Sequence, residues 1–243
     1  MPPRFYAPDL DGSLTRIRLR PDESHHARHV LRLTIGEDVN VFNGAGSEWR
    51  GRISAMAKSG VDVDIVAVAT PAAEASVTVT VGLSILKSSA MDLAVRDATM
   101  LGAASIVPIA TERLAAGKAR ADSALEHWRA IAVASAKQCG RAVVPSIGPI
   151  ASLNQLLSHS PQPRLICVEP SITGSVPLGD IGSIRPDAAT LLIGPEGGWS
   201  EAEIVAASAN EAIAVNFGPR TLRAETVPAV ALSALWTRWG WCV

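Results

Sequence analysis

Three carboxylates in the second half of the chain follow apolar runs, each in a loop that bends or bares the backbone. Glu196 lies inside Gly194-Pro195-Glu196-Gly197-Gly198, directly after the apolar run Leu191–Ile193. Three glycines there let main chain, rather than bulky side chains, approach a ligand. Ser200 and Glu203 then stand at capping-box spacing, so a helix begins there with its first free N–H groups facing back toward the loop. A second junction ends the run Ala212–Phe217, where Gly218-Pro219 breaks the strand. Arg220, Arg223 and Glu225 follow, before a helix near Thr226 that tolerates Pro228 in its first turn. A third, Glu169-Pro170-Ser171, follows Arg164–Val168. A guanidinium holds planar anionic groups by paired hydrogen bonds, and a carboxylate beside it can take a proton or orient the arginine. Two arginines and a glutamate at the end of a buried strand point to polar chemistry in the loop.

The elements that must hold these loops are legible as well. Strand, glycine loop and helix, repeated, predict a parallel α/β sheet with a ligand crevice at the carboxyl ends of its strands. Val77–Leu86 reads as a buried strand, and Met91–Gly102 as a helix with Met91, Ala94, Val95, Ala98 and Leu101 on one face. Ser105–Ile109 reads as a strand stopped by Pro108, and Asp122–Cys139 as a helix opened by Ser123 and Glu126. The last helix, Thr226–Trp241, carries Leu232, Leu235, Trp236 and Trp239, suited to the core, to a dimer face, or to both on different sides.

The first 70 or so residues have another rhythm. Leu14–Arg20 alternates apolar and basic residues, which puts Arg16, Arg18 and Arg20 on one face of a strand. Ser24–Leu33 reads as one short helix bearing His25, His26, Arg28, His29 and Arg32. Val39–Phe42, a turn at Asn43–Gly46, and Glu48–Ser54 form a hairpin, and Val61–Ala67 adds a strand. A small β-barrel is expected, joined by a linker at Ala69–Glu74. Arginines crowd this quarter while its acidic residues fall mostly in turns, so a basic face is expected on a protein of net charge −1.

With 243 residues, 48% of them hydrophobic and 19% charged, one large or two unequal globular domains are expected, not a disordered chain. Cys139, Cys167 and Cys242 form no C-x-x-C pair, which argues against a zinc site or a disulfide framework and fits a reducing cytosol. No metal is expected at His25, His26 and His29 either, because no carboxylate or thiol stands with them at ligand spacing. No apolar run reaches the roughly 18 residues a membrane span needs, and Met-Pro-Pro-Arg-Phe-Tyr has no signal-peptide character, so a soluble intracellular protein is expected. The Rossmann fingerprint is missing: Gly44 and Gly46 have Trp49 where its third glycine belongs, and no phosphate-binding P-loop occurs.

The chain resembles the SPOUT superfamily of knotted methyltransferases, and within it the ribosomal RNA small subunit methyltransferase E family, whose members methylate N3 of a uridine in 16S rRNA. The likeness runs through His25-His26-Ala27-Arg28-His29-Val30-Leu31-Arg32, Lys87, Thr111-Glu112-Arg113, Gln138 with Arg141 and Pro145, then G-P-E-G-G-W-S and L-R-A-E-T. It departs at Met100, Leu114 and Lys137, where the family usually has Glu, Ser and Glu. The resemblance implies a PUA-like RNA-binding barrel over residues 1–72 and a SPOUT α/β domain with a trefoil knot over 73–243. It also implies a cytoplasmic homodimer acting on 16S rRNA, within the 30S subunit, with S-adenosylmethionine as cofactor and no metal. Glu169, Ile193, Gly194, Pro195, Glu196, Gly197, Gly198, Phe217, Gly218, Leu222 and Thr226 would hold the cofactor. Glu196 could favour the sulfonium charge or bind ribose hydroxyls. Arg223 would stabilise a uridine anion, and Glu225 would be its base or orient the arginine. Arg16, Arg18, Arg20, His25, Arg28 and Arg32 would meet RNA. The alternatives are a knotted methyltransferase acting elsewhere, such as on a tRNA ribose, and a non-catalytic RNA-binding protein that keeps the cofactor fold.

Overall fold

The computed structural model describes residues 2–113 and 124–241. Leu114, Cys242 and the expected helix start at Asp122 and Ser123 lie outside them. The chain packs as two compact units, Met1–Ala73 with Val133–Val144, and Glu74–Ala132 with Pro145–Val243. The division after Ala73 falls in the expected linker, but Val133–Val144 packs with the first unit, an exchange that a division at one point in the sequence does not contain.

In the first unit β1 (Arg4–Tyr6), β2 (Arg16–Arg18), β3 (Asp38–Phe42), β4 (Glu48–Ala57) and β5 (Gly60–Ala69) form one sheet in the order β1-β3-β4-β5-β2. The hairpin pairs as its sequence predicts, Val41 opposite Trp49 and Phe42 opposite Glu48. Asn43 stabilises its turn by accepting the N–H groups of Ala45 and Ser47 on its side-chain oxygen. Phe5, Leu10, Leu19, Val39, Val41, Trp49, Ile53, Val61 and Val63 pack into the core. Two expectations change. The short helix starts earlier, as α1 (Pro21–His25), because proline suits a first helical turn, and continues as one π-helical turn, His26–Val30. The basic face expected on this sheet is answered by acids on its own strands: Asp64 meets Arg16, Asp62 meets Arg18 and Asp38 meets Arg52. The hydrogen bonds from Arg18 and Arg16 hold the Asp62 and Asp64 carboxyls below their ordinary pKa.

Arg4 organises this unit from within. Its Nε and Nη2 donate to the Glu48 carboxylate at 3.0 and 2.8 Å. The remaining N–H groups reach the carbonyls of Ala136, Lys137 and Arg141, so all five donors are used. Ala136 and Lys137 belong to the last turn of α3 (Leu125–Cys139), whose carbonyls have no helical partner. Nearby, Lys137 pairs with Glu23, and Glu23 also accepts the N–H of Tyr6. His26 stands edge-on to Phe5, and burial together with the Lys137 charge pushes its pKa below 6.5.

The second unit is the expected parallel α/β sheet. Its strands are β6 (Thr78–Ser84), β7 (Ser105–Ala110), β8 (Ser146–Ile147), β9 (Ala151–Ser152), β10 (Arg164–Cys167), β11 (Val176–Pro177), β12 (Ala188–Ile193) and β13 (Ile213–Asn216). They run in the order β11-β13-β10-β12-β6-β7-β8, with β9 also on β7, and every pairing is parallel. Helices α2 (Ser88–Met100) and α6 (Val227–Trp239) pack together, as do α4 (Leu153–His159) and α5 (Glu201–Ala209). Pro108 does not stop its strand. It lies between the positions paired by β8 and those paired by β9, so its missing N–H costs no ladder bond. Leu232, Leu235, Trp236 and Trp239 are buried within the chain; the two indoles donate to the carbonyls of Leu101 and Gly182.

Two stability outcomes follow. Glu48→Ala strands an enclosed guanidinium and should cost about 3–5 kcal/mol in urea unfolding; a loss below about 1 kcal/mol would show the pair open to solvent. Because the folded state lowers the His26 pKa, its contribution is present above pH 6.5 and fades as pH falls through the lowered value. His26→Gln should therefore flatten the acid side of the stability profile relative to the parent; identical profiles would refute the coupling.

Candidate functional site

Parallel pairing brings the loops of the second unit together. Cys167 is in register with both Ile193 and Val215, so β10, β12 and β13 end side by side. The loops that follow those ends enclose a cavity of about 1100 Å³. Glu169, Ile193, Gly194, Pro195, Glu196, Gly198, Phe217 and Leu222 line it, together with Arg223 and Glu225. Gly197, Gly218 and Thr226 do not. The Gly197 carbonyl accepts Nη1 of Arg113 at 2.7 Å. Gly218 turns the chain at φ 86°, with its N–H held by the Asn216 side chain. Thr226 donates its N–H to the carbonyl of Arg223 at the entry to α6.

Three contacts beyond the expected capping box fix the glycine loop. The Ser200–Glu203 capping box forms with both reciprocal bonds, and the other Glu203 oxygen accepts the N–H of Glu112, beyond β7. Trp199 is buried, donates Nε1 to the carbonyl of Cys167 at 2.9 Å, and covers Gly194. A Cβ on Gly194 would lie 2.9 Å from that nitrogen, so this glycine makes room for an indole as well as for a ligand. Glu196 accepts the N–H of Lys87, the residue that precedes α2.

At the cavity rim Arg223 and Glu225 stand 3.9 Å apart, closest nitrogen to closest oxygen. The arginine side chain is 87% exposed and the glutamate 19%, so an exposed cation stands beside a carboxylate set in the wall. Lys87, Arg113, Arg220 and Thr221 join the polar lining, and Val168, Ile172, Trp199 and Val227 its apolar part. Cys167 also lines the cavity, where burial pushes its thiol pKa far up, so it is a neutral wall residue and not a nucleophile. Lys87 and Arg113 were visible only through motif resemblance. Arg220 was visible as a polar residue after a strand, whereas Val168 and Val227 needed the strand order. Among the described residues no group of three or more His, Cys, Asp or Glu could hold a metal ion, and no helix is long and apolar enough to cross a membrane.

The RNA-facing residues expected in the first unit separate into two sets. Arg16 and Arg18 are ion-paired and Arg20 stands 3.7 Å from Asp22. His25 lies against His29, Arg28 donates to the carbonyl of Ala57, and Arg32 is exposed with φ 55°.

Residues 73–236 match the RNA methyltransferase domain family and residues 19–66 the RNA methyltransferase PUA domain family. Over 224 residues the chain is 30% identical to the ribosomal RNA small subunit methyltransferase E of Synechocystis, covering 90% of this chain and 72% of that one. It is also 30% identical over 246 residues to the protein of that name from Mycobacterium bovis, covering 97% and 92%. A crystal structure of the ribosomal RNA small subunit methyltransferase E from Neisseria gonorrhoeae bound to S-adenosyl methionine matches with TM-score 0.90 and 31% identity over 98% of each chain.

Gly194→Ala should cost about 1–3 kcal/mol through overpacking against Trp199. In a denaturation cycle with Trp199→Ala the losses should be less than additive, because the smaller side chain frees the space. Full additivity would mean that the two residues do not contend for it.

Proposed function

We propose a reaction for a chain that belongs to the ribosomal RNA small subunit methyltransferase E family: transfer of a methyl group from S-adenosylmethionine to N3 of a uridine in 16S rRNA. The observation that carries this reading is the cavity, in which a wall of main chain and apolar side chains meets the Arg223–Glu225 pair at its rim. Its residues suit the cofactor. Main-chain groups of Ile193, Gly194, Gly198 and Phe217 can bond an adenine edge, and the apolar wall accepts the methyl and methylene groups around the sulfonium. Glu169 and Glu196 offer carboxylates to its cationic or hydroxyl groups. When bound, the cofactor supplies an electrophilic methyl group.

The chain's own residues then address the base. N3 of uridine has a lone pair only after its imide proton leaves, and the resulting charge spreads onto O2 and O4. Arg223, its guanidinium extended into solvent, donates hydrogen bonds to such an oxygen. Glu225 receives the N3 proton and, through its ion pair, aims the arginine. Gly197, Gly218 and Thr226 contribute by shaping the loops. For the RNA, the first unit offers His25, Arg28 and Arg32 on its helical turn, whereas Arg16, Arg18 and Arg20, expected to meet RNA as well, already face Asp64, Asp62 and Asp22.

The family resemblance supports the rest of the reading. Residues 1–72 act as the PUA-like RNA-binding domain and 73–243 as the SPOUT domain, with Val133–Val144 lent to the first. The second closes in a trefoil knot, in keeping with a strand order in which β10 lies between β13 and β12. The enzyme works as a cytoplasmic homodimer on the 30S subunit. Incubation with labelled S-adenosylmethionine and undermethylated 30S subunits, followed by mapping, should place the label on a uridine N3. A methyl group on ribose, or no cofactor binding at millimolar concentration, would overturn the reading. Arg223→Ala should lower turnover by about 10²–10³-fold or more while calorimetric cofactor affinity stays nearly unchanged; unaltered turnover would remove Arg223 from the mechanism.

A further inference from the structure

Two surfaces of the first unit carry arginines, and their surroundings are opposite in kind. Across β3, β4, β5 and β2 the register aligns Asp38, Arg52, Asp64 and Arg16 in one row. Asp38 pairs with Arg52 at 2.8 Å and Asp64 with Arg16 at 2.5 Å, while Asp62 and Arg18 pair at 2.7 Å alongside. Acid and base alternate, so the row is electrically compensated. A phosphate could engage these arginines only by displacing carboxylates already hydrogen-bonded to them.

The turn that closes the π-helix is different. Val30, Leu31 and Ile35 are 60%, 39% and 62% exposed, within six consecutive residues. Beside them the rings of His25 and His29 lie 4.7 Å apart at 39°. Arg28 spends one N–H on the Ala57 carbonyl, and neither it nor Arg32 has an ion-pair partner among the described residues. The acids around this turn are engaged: Asp22 faces Arg20, Glu23 is enclosed with Lys137, and Glu37 accepts the N–H of Thr34. Arg32, between these exposed apolar residues, holds a left-handed backbone conformation (φ 55°) unusual for a side-chain-bearing residue.

We propose that the segment from His25 to Ile35 is the RNA-engaging surface of the first unit, and that it takes unpaired nucleotides in preference to duplex. The choice of polymer rests on the RNA methyltransferase reading above. Unstacked bases present flat, largely apolar faces that the imidazoles and the Val30, Leu31 and Ile35 side chains can cover, while their phosphates meet Arg28 and Arg32. A duplex keeps those faces inside its stack and would leave the exposed apolar groups uncovered. The ion-paired sheet face, with Arg16 and Arg18, does not take part.

Fluorescence anisotropy with a labelled oligouridylate and with a duplex of equal length, across a salt series and without cofactor, tests this. The intact chain should prefer the single strand. Arg32→Gly, where glycine accepts φ 55°, and Val30→Ser should each weaken single-strand binding by about tenfold. Arg32→Gly should also lower the slope of log affinity against log salt by about 0.7. The double variant Arg16→Ala/Asp64→Ala, which removes one compensated pair, should leave affinity within about twofold. A preference for duplex, or a loss in the double variant equal to that of Arg32→Gly, overturns the proposal. Tight oligouridylate binding by a chain that transfers no methyl group to 30S subunits would sink the proposed reaction and leave this surface standing. Undiminished binding and methylation by both Arg32→Gly and Val30→Ser would do the reverse.

Discussion

Because β10, β12 and β13 run parallel and end side by side, the loops that leave them meet, and their main chain becomes the wall of one cavity. Much of the second unit serves that constraint. Parallel strands require long return connections, which place helices on both faces and force the sheet residues to be apolar throughout. Leu165, Ile166, Leu191 and Leu192 are accordingly all buried, whichever face they point to. The polar chemistry is displaced to the strand ends, where loops can carry it.

Loops rich in glycine are adaptable, and a site made of them needs fastening. Glu203 bonds Ser200 and Glu112, Arg113 bonds the Gly197 carbonyl, and Trp199 joins Cys167 across the mouth of two strands. These bonds hold three separate stretches of chain in fixed relation before any ligand arrives, which is how a mostly main-chain site becomes preorganised. The reactive pair is treated differently. Arg223 projects into solvent from a loop that ends in a short 3-10 turn, free to adjust to a base, while Glu225 stays in the wall.

In the first unit arginines give two unlike surfaces, because charge on a folded chain depends on what register places opposite. Asp62 and Asp64 are 44 and 48 residues from Arg18 and Arg16, yet they lie directly across the strand pair. Arg4 shows the other extreme, with its charge enclosed and every donor used to tie β1, β4 and the end of α3 together.

The sequence by itself determined the parallel α/β character, the hairpin, the capping box at Ser200 and the residues of the two glycine-rich junctions, because each depends on spacing within about ten neighbours. It also carried the family, through motifs several of whose residues, Lys87, Arg113, Glu196 and Arg223 among them, line one cavity. Tertiary structure decided the rest. Pro108 passes inside its strand because of where β8 and β9 happen to pair, and Pro21 starts a helix instead of merely ending a strand. Gly194 proved to be spaced for Trp199, and the basic face expected at Arg16 and Arg18 proved to be compensated. Val133–Val144 joined the first unit through the carbonyls that Arg4 binds. Local pattern reports torsional preference and which side of an element is apolar; partners tens or hundreds of residues away are chosen by strand register and packing, and those exist only in the folded chain.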